Sequence, residues 1–156
     1  MQNHYFVRKN VVMQHKSARK SVFMKIRREI EDQFAAWKLS KNRKPMLLQG
    51  ARQIGKTWMM EQFGEAHYDH CVKFDFDKHP EYKDAFLNSK DPERILKELA
   101  IYSDSPLLPE KTLIIFDEIQ ECEGALNSLK YFCEDAPQYH IMAAGSLLGV
   151  AVKNGR

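Results

Sequence analysis

The sequence lacks the features that mark membrane-spanning and secreted proteins. No apolar run approaches the roughly 18 residues that cross a bilayer, and no apolar segment near the N-terminus resembles a secretory signal. The three cysteines are an odd number without a CxxC pair, which is typical of reduced thiols. With a hydrophobic fraction of 44% over 156 residues, the composition predicts a cytoplasmic globular domain with a buried core and no membrane partner.

Acidic residues are absent from Met1 to Phe23. The basic residues of that stretch are Arg8, Lys9, Lys16, Arg19 and Lys20. The net charge of +3 comes from this stretch, because the rest of the chain has 19 basic against 21 acidic side chains. The folded part is therefore not expected to bind nucleic acid through a basic surface. Residues 1–22 are predicted to form a flexible tail; a transit peptide and a translation start at Met24 are the alternatives.

A glycine-rich stretch carries the first strong chemical signal. It has the spacing of two glycines, a lysine and a hydroxyl residue, and it consists of Gly50, Ala51, Arg52, Gln53, Ile54, Gly55, Lys56 and Thr57. Glycine lets the backbone approach a polyphosphate closely and turn its N–H groups inward. The lysine places a charge between the β- and γ-phosphates, and the threonine hydroxyl is a ligand for Mg²⁺. The stretch predicts a site for a magnesium nucleotide.

The flanks of this stretch supply the strand and the helix that a phosphate-binding loop needs. Residues 45–49 start at a proline and are mainly apolar, which predicts a short buried strand. Residues 56–66 predict a helix with Trp58, Met59 and Phe63 on its apolar side. A solvated glycine-rich turn is the alternative, and these flanks disfavour it.

The second strong signal is an apolar segment that ends in two acids. Residues 113–116 are bulky and apolar, which predicts a strand buried on both faces of a parallel sheet. Because such sheets bind ligands at the carboxyl ends of their strands, Asp117 and Glu118 are expected at the nucleotide site. Asp117 is predicted to hold Mg²⁺ opposite Thr57. Glu118 is predicted to act as the base for the water that attacks the γ-phosphate.

The rest of the chain alternates helices and strands, which predicts an α/β fold. The predicted elements are an amphipathic helix over residues 23–37, a strand over 71–76, a helix that Asp91 caps and that buries Ile95, Leu96 and Leu99, a helix with Cys122, Leu126, Leu129 and Cys133 on its inner face, and a strand over 139–144. Ser146 follows the last strand. It is predicted either to contact the γ-phosphate or the attacking water, or to cap a following helix.

Two further groups of side chains have metal-ligand chemistry. His67, His70 and Cys71 suggest a zinc site, but the sequence contains no matching second pair, so this is the weaker alternative. Asp75 and Asp77 end a predicted strand and could ligate a metal. Acids at a strand exit are more often solvated or cap the turn that follows.

These motifs together resemble the prokaryotic AAA-type P-loop ATPases that carry a C-terminal domain of unknown function. The resemblance covers residues 24–150 and is carried by the stretches 50–57, 116–122, 128–135 and 144–149. It implies a three-layer α-β-α P-loop NTPase fold with a mainly parallel sheet, in which the strand before Ser146 lies between the strands that end at Gly50 and Asp117. It also implies ATP as the nucleotide, Glu118 as the catalytic base and Ser146 as a γ-phosphate sensor.

The family pattern continues with a fifth strand, a helical lid and a second domain, so residues 23–156 are expected to be a truncated ATPase domain. No candidate arginine finger follows Ser146 apart from Arg156, which predicts weak hydrolysis. Residues 46–49 are then expected to form an edge strand that favours self-association. The macromolecular target is not predicted.

Three functions are compatible with these residues. The leading prediction is binding of ATP with Mg²⁺-dependent hydrolysis. A nucleotide-binding switch or interaction module that does not hydrolyse ATP is the alternative from another class. A small-molecule kinase is disfavoured, because the sequence has no Arg-rich lid and because Glu118 directly follows Asp117, as in hydrolases.

Overall fold

The computed structural model of the chain describes residues 16–50 and 55–146. The described residues divide into two compact units, one of residues 16–43 and one that contains residues 44–50 and 55–146. Most of the predicted tail, residues 1–15, lies outside the described residues, as do residues 51–54 and 147–156. Among the described residues, no helix combines the length and apolar composition that crossing a membrane requires.

The first unit contains one long helix, α1 (Lys16–Leu39). It begins about two turns before the predicted start at Phe23, so residues 16–22 of the predicted tail are helical. Arg27 Nε donates to Glu31 Oε1 at 2.8 Å, one turn along the helix. At the C-terminal end, Arg43 Nη1 donates to the carbonyl oxygen of Lys38 at 2.8 Å, which satisfies one of the carbonyls that a helix end leaves open.

The second unit alternates strands and helices, as predicted. Its strands are β1 (Met46–Gly50), β2 (His70–Asp75), β3 (Thr112–Asp117) and β4 (His140–Ser146), and its α-helices are α2 (Lys56–His67), α3 (Pro92–Leu99) and α4 (Glu123–Asp135). Asp91 caps α3 by accepting a hydrogen bond from the Glu93 N–H at 3.1 Å, and the helix buries Ile95, Leu96 and Leu99. The sequence-based prediction of this cap and stripe is confirmed.

The four strands form one parallel sheet in the order β1-β4-β3-β2. This order confirms that the strand ending at Ser146 lies between the phosphate-loop strand and the strand ending at Asp117. Every residue of β3 and β4 is buried, as expected for central strands of a parallel sheet. β1 lies at one edge of the described sheet.

Helices cover the two faces of this sheet, so the fold has three layers. Leu113 of β3 points toward α2, where a Cβ built on Gly64 would lie 3.0 Å from its Cδ2. The next residue, Ile114, belongs to the core cluster that contains Ile95 of α3 and Phe132 of α4. Because successive side chains of a strand point to opposite faces, α2 lies on one face and α3 and α4 on the other.

Two helices match their predicted buried stripes only in part. In α2 the buried side chains are Met60 and Phe63, whereas Trp58 is 46% exposed. In α4 the buried residues are Ala125, Ser128 and Phe132. Of the predicted inner face, Cys122 is buried, Leu126 and Leu129 are partly buried against the core, and Cys133 is partly buried. The observed buried face of each helix overlaps the predicted one but is shifted around the helix axis. Apolar residues occur on more than one side of both helices, and contacts with the sheet decide which side is covered most.

The contact between α2 and β2 depends on a residue without a side chain. A Cβ added at Gly64 would lie 2.3 Å from Cys71 Sγ and 2.9 Å from Cys71 Cβ. These atoms belong to a strand of the sheet and cannot move away as a surface side chain would. Gly64 therefore allows α2 to approach the sheet closely.

We expect Gly64→Ala to destabilise the domain, because overpacking at a helix–sheet contact costs about 1–3 kcal/mol. Urea unfolding followed by circular dichroism measures the change in the free energy of unfolding. Glu65→Ala, at the next and exposed position of the same helix, is the control and should change it by less than about 0.5 kcal/mol. If Gly64→Ala were as stable as Glu65→Ala, this would contradict the close approach of α2 to the sheet.

Candidate functional site

The carboxyl ends of the strands bring the predicted site residues to one edge of the sheet. Gly50 at the end of β1 is in register with Ser146 at the end of β4. Asp75 at the end of β2 is in register with Asp117 at the end of β3. Residues that are far apart in the sequence therefore meet where open α/β sheets bind their ligands.

The phosphate-binding stretch leads from β1 into α2. Gly55 has φ = 80°, in the left-handed region that glycine adopts without strain, and it immediately precedes the first residue of α2, Lys56. The N-terminus of α2 therefore follows directly on this stretch, and the N-terminus of a helix favours an anion. Four of the predicted nucleotide-binding residues lie outside the described residues: Ala51, Arg52, Gln53 and Ile54.

The ammonium group of Lys56 bridges the ends of two neighbouring strands. Its Nζ donates to the carbonyl oxygen of Gly50 at 2.9 Å and to that of Gly145 at 3.3 Å. Burial lowers the pKa of Lys56, and the carboxylates of Glu118 and Asp117 oppose this by raising it. The lysine charge therefore lies at the carboxyl ends of β1 and β4, next to Gly50, where the predicted phosphate-binding stretch begins.

Thr57 and Asp117 are in direct contact, which joins the phosphate-binding stretch to the acidic strand end. Thr57 Oγ1 donates to Asp117 Oδ1 at 2.9 Å, and the backbone N–H of Glu118 donates to the same oxygen at 3.0 Å. Asp117 is only 7% exposed. Burial raises its pKa, helped by the charges of Asp75 and Glu118 and opposed by these two hydrogen bonds.

This pair of side chains fits a divalent cation. A hydroxyl and a carboxylate oxygen are donors that Mg²⁺ prefers, and a buried carboxylate that is costly to ionise gains most from a bound cation. Among the described residues, no three or more His, Cys, Asp or Glu side chains are grouped so that they could hold a metal ion. His67, His70 and Cys71 are therefore not grouped as metal ligands. A cation at Thr57 and Asp117 would thus take its remaining ligands from water and phosphate, as Mg²⁺ commonly does.

Glu118 has an unusual backbone conformation. Its φ is 51° and its ψ 46°, the left-handed region that costs a residue with a side chain about 1 kcal/mol or more. This turn directs the chain away from β3 into the short 3-10 helix Ile119–Glu121. The carboxylate of Glu118 accepts a hydrogen bond from Gln120 Nε2. Strain of this kind is typical of functional positions.

Ser146 lies at the same edge, with only 9% of its surface exposed. Its backbone N–H donates to Gln120 Oε1 at 3.3 Å. Gln120 is thus in contact with both Glu118 and the end of β4, and it is only 4% exposed. The sequence-based reasoning assigned no role to Gln120. The available signal was its position two residues after the acidic pair, within one of the stretches that carry the family resemblance.

Asp75 is adjacent to the site but has a local partner. Its Oδ1 accepts hydrogen bonds from the backbone N–H groups of Asp77 at 3.1 Å and Lys78 at 3.0 Å. This agrees with the interpretation of Asp75 as a cap of the turn that follows β2. Asp77 itself is exposed.

We expect Asp117→Asn to raise the stability of the metal-free protein at neutral pH. The amide keeps the acceptor for Thr57 and for the Glu118 N–H while removing a buried charge. Because the pKa of Asp117 is raised in the fold, the wild-type carboxyl favours folding fully only below its unfolded pKa and loses this contribution as the pH rises through the folded value.

The advantage of the asparagine variant should therefore be present at neutral pH and vanish on acidification below the ordinary carboxyl pKa. Thermal melts in a chelating buffer between acidic and neutral pH measure it. Asp77→Asn, an exposed carboxyl near the same edge, is the control. If Asp117→Asn melted at a lower temperature than the wild type at neutral pH, this would contradict the claim that the buried charge of Asp117 destabilises the metal-free protein.

A family model described as an AAA domain matches residues 42–156, which is most of the chain and includes all the site residues described above. Comparison with curated proteins gave no match.

Proposed function

Because the chain belongs to the AAA domain family, we propose that it binds ATP with Mg²⁺ at the carboxyl edge of its sheet and hydrolyses the bond to the γ-phosphate. The observation that carries this proposal is the 2.9 Å contact between Thr57 and Asp117, beside the Lys56 ammonium. A cation-binding pair and a phosphate-binding cation thus occupy one edge of the sheet. Membership of the family by itself supports nucleotide binding.

The binding part of the proposal assigns the phosphates to residues 50–57. The backbone N–H groups of this stretch and the N-terminus of α2 bind the phosphate oxygens, with Gly50 and Gly55 allowing close approach. Lys56 already bridges two carbonyl oxygens at the strand ends and turns its charge to the β- and γ-phosphates. Thr57 and Asp117 hold Mg²⁺, which neutralises charge on the phosphates when it is bound.

The hydrolytic part of the proposal assigns the base to Glu118. A water between Glu118 and the γ-phosphate attacks phosphorus while the bond from phosphorus to the ADP oxygen breaks. The proton of that water passes to the Glu118 carboxylate, which follows Asp117 directly and so faces the same edge. Lys56 compensates the charge that develops on the phosphate oxygens. The proposed sensor is Ser146, whose hydroxyl contacts the γ-phosphate or the attacking water.

Calorimetric titration tests the binding step and phosphate release tests the chemical step. We expect heat of binding on titration with ATP in the presence of Mg²⁺, weaker binding when Mg²⁺ is removed by a chelator, and slow phosphate release that requires Mg²⁺. GTP and CTP titrated in the same way test the choice of base. Absence of binding heat with every magnesium nucleotide, on folded protein, would overturn the proposal.

Two wider elements of the proposal concern association and location. Strand β1 is an edge strand of the described sheet, and an edge strand offers backbone groups for pairing with another chain, which supports self-association. Sedimentation of the protein over a range of concentrations measures this. Cys71, Cys122 and Cys133 are thiols that form no disulfide, which supports a reducing compartment such as the cytoplasm.

A further inference from the structure

Three hydrogen bonds run in one direction from Lys56 to Glu118. Lys56 Nζ donates to the Gly145 carbonyl oxygen at 3.3 Å, and the Ser146 N–H donates to Gln120 Oε1 at 3.3 Å. Gln120 Nε2 then donates to Glu118 Oε2. The Gly145 carbonyl and the Ser146 N–H belong to the same peptide group. A single peptide and a single side-chain amide therefore connect the phosphate-binding cation to the proposed base.

The direction of these hydrogen bonds shows how the dipoles of the peptide group and of the Gln120 amide are oriented. Each dipole has its positive end toward the Glu118 carboxylate and its negative end toward the Lys56 ammonium. Hydrogen bonds aligned between a cation and an anion polarise one another, and they are stronger in a buried site than in water. The arrangement therefore holds the Glu118 carboxylate in one position.

The side-chain amide of Gln120 can satisfy both neighbours in only one orientation. Ser146 offers an N–H, which requires the amide oxygen, and Glu118 offers a carboxylate oxygen, which requires the amide NH₂. Rotating the amide by half a turn would place donor against donor and acceptor against acceptor. Because Gln120 is 4% exposed, water cannot readily replace either partner.

The surrounding backbone leaves Gln120 little freedom. A Cβ built on Gly145 would lie 2.9 Å from Gln120 Oε1 and 3.3 Å from the Ile119 side chain, so the glutamine lies directly against β4. Glu118 is held in its left-handed conformation by the hydrogen bond from the Glu121 N–H to its carbonyl oxygen at 2.9 Å. The position of the Glu118 carboxylate is thus set by its own backbone and by Gln120.

We propose that Gln120 is a positioning residue that fixes the Glu118 carboxylate to the Gly145–Ser146 peptide at the end of β4. The inference rests on the proposed function, since it concerns the base of that reaction. Gln120 contacts neither nucleotide nor metal in this assignment. It aligns Glu118 with the water, and it does so from the strand that also carries the proposed γ-phosphate sensor.

A double-mutant cycle separates positioning from general support of the fold. We expect Gln120→Met, which has similar length and no amide, to lower kcat about 10-fold because the base loses its alignment. The Kd for Mg-ATP should stay within about 3-fold of wild type, since Gln120 acts only on the base. Gln62→Met, an exposed glutamine of α2, is the matched control and should leave both constants unchanged.

The second half of the cycle repeats Gln120→Met in a Glu118→Gln background under single-turnover conditions. If Gln120 acts through Glu118, the substitution should have almost no further effect there, because the base is already absent. Equal rate losses in both backgrounds, an unchanged kcat in the single variant, or a Kd that weakens in parallel with kcat would each overturn the proposal.

Nuclear magnetic resonance provides a readout that needs no hydrolysis. In protein labelled with ¹⁵N, the side-chain NH₂ signals of Gln120 should shift in Glu118→Ala and remain in place in Glu121→Ala. Unchanged signals in Glu118→Ala would overturn the inference even if the protein hydrolyses ATP. Shifted signals without any hydrolysis would refute the proposed ATPase activity while leaving the contact between Gln120 and Glu118 supported.

Discussion

Glu118→Gln should lower kcat for ATP hydrolysis by about 10²- to 10⁴-fold, the usual contribution of a positioned general base. The amide has the size of the carboxylate but cannot take the proton of the attacking water. The substitution leaves Lys56, Thr57 and Asp117 unchanged, so the affinity for Mg-ATP should stay close to that of the wild type. Steady-state phosphate release gives kcat, and calorimetric titration gives the affinity.

Glu121→Gln is the matched control for this substitution. Glu121 lies three residues further along the chain and is exposed, and its replacement removes the same charge. We expect wild-type turnover from this variant. If wild type and Glu118→Gln bind ATP equally well and release phosphate equally slowly, Glu118 is not a base, and the protein is a nucleotide-dependent switch.

Lys56→Ala should weaken the binding of Mg-ATP by at least about 100-fold, which corresponds to about 2.7 kcal/mol. The lysine is held by the carbonyl oxygens of Gly50 and Gly145, so its charge is already near the position of the phosphates. A charge that is ordered before binding loses little conformational entropy when the ligand arrives. Alanine removes both the charge and this order. Calorimetric titration with ATP and Mg²⁺ measures the loss.

Lys97→Ala on α3 removes the same charge from an exposed position and is the control. Its affinity for Mg-ATP should equal that of the wild type. Thermal melts of both variants show whether the fold is intact, because Lys56→Ala also leaves two carbonyl oxygens without this donor. An unchanged affinity in folded Lys56→Ala protein would mean that the phosphates bind elsewhere.

The candidate site could be predicted from the sequence where the proposed function requires particular residues at a particular spacing. Gly55, Lys56 and Thr57 follow one another at the start of α2 because the loop, the cation and the hydroxyl are consecutive in the chain. Asp117 could be assigned because it directly follows four buried apolar residues of β3. The contact between Thr57 and Asp117 agrees with the prediction that both belong to one site.

The buried face of α2 could not be predicted in the same way. The apolar residues of α2 include Trp58, Met59, Met60 and Phe63, and more than one stripe can be drawn through them. The structure buries Met60 and Phe63 because Gly64 brings that side of the helix against Cys71 and Leu113. A glycine marks a close approach only when the opposing strand is known.

The proposed role of Gln120 could not be predicted from the sequence for a related reason. A glutamine near two acids has no distinctive spacing, and its function depends on Ser146, 26 residues away. The two meet because β4 inserts between β1 and β3, which places the Gly145–Ser146 peptide beside the end of β3. Only the family resemblance indicated this strand order before the structure did.

By itself, the sequence determined the α/β class, the order of elements, the phosphate-binding stretch and the acidic strand end, because each depends on residues that are neighbours in the chain. The tertiary structure alone decided which face of α2 is buried, how Lys56 bridges two strands, and how Gln120 joins Glu118 to β4. These contacts depend on strand order and register, and hydrogen bonds between distant residues leave no periodic pattern in a single sequence.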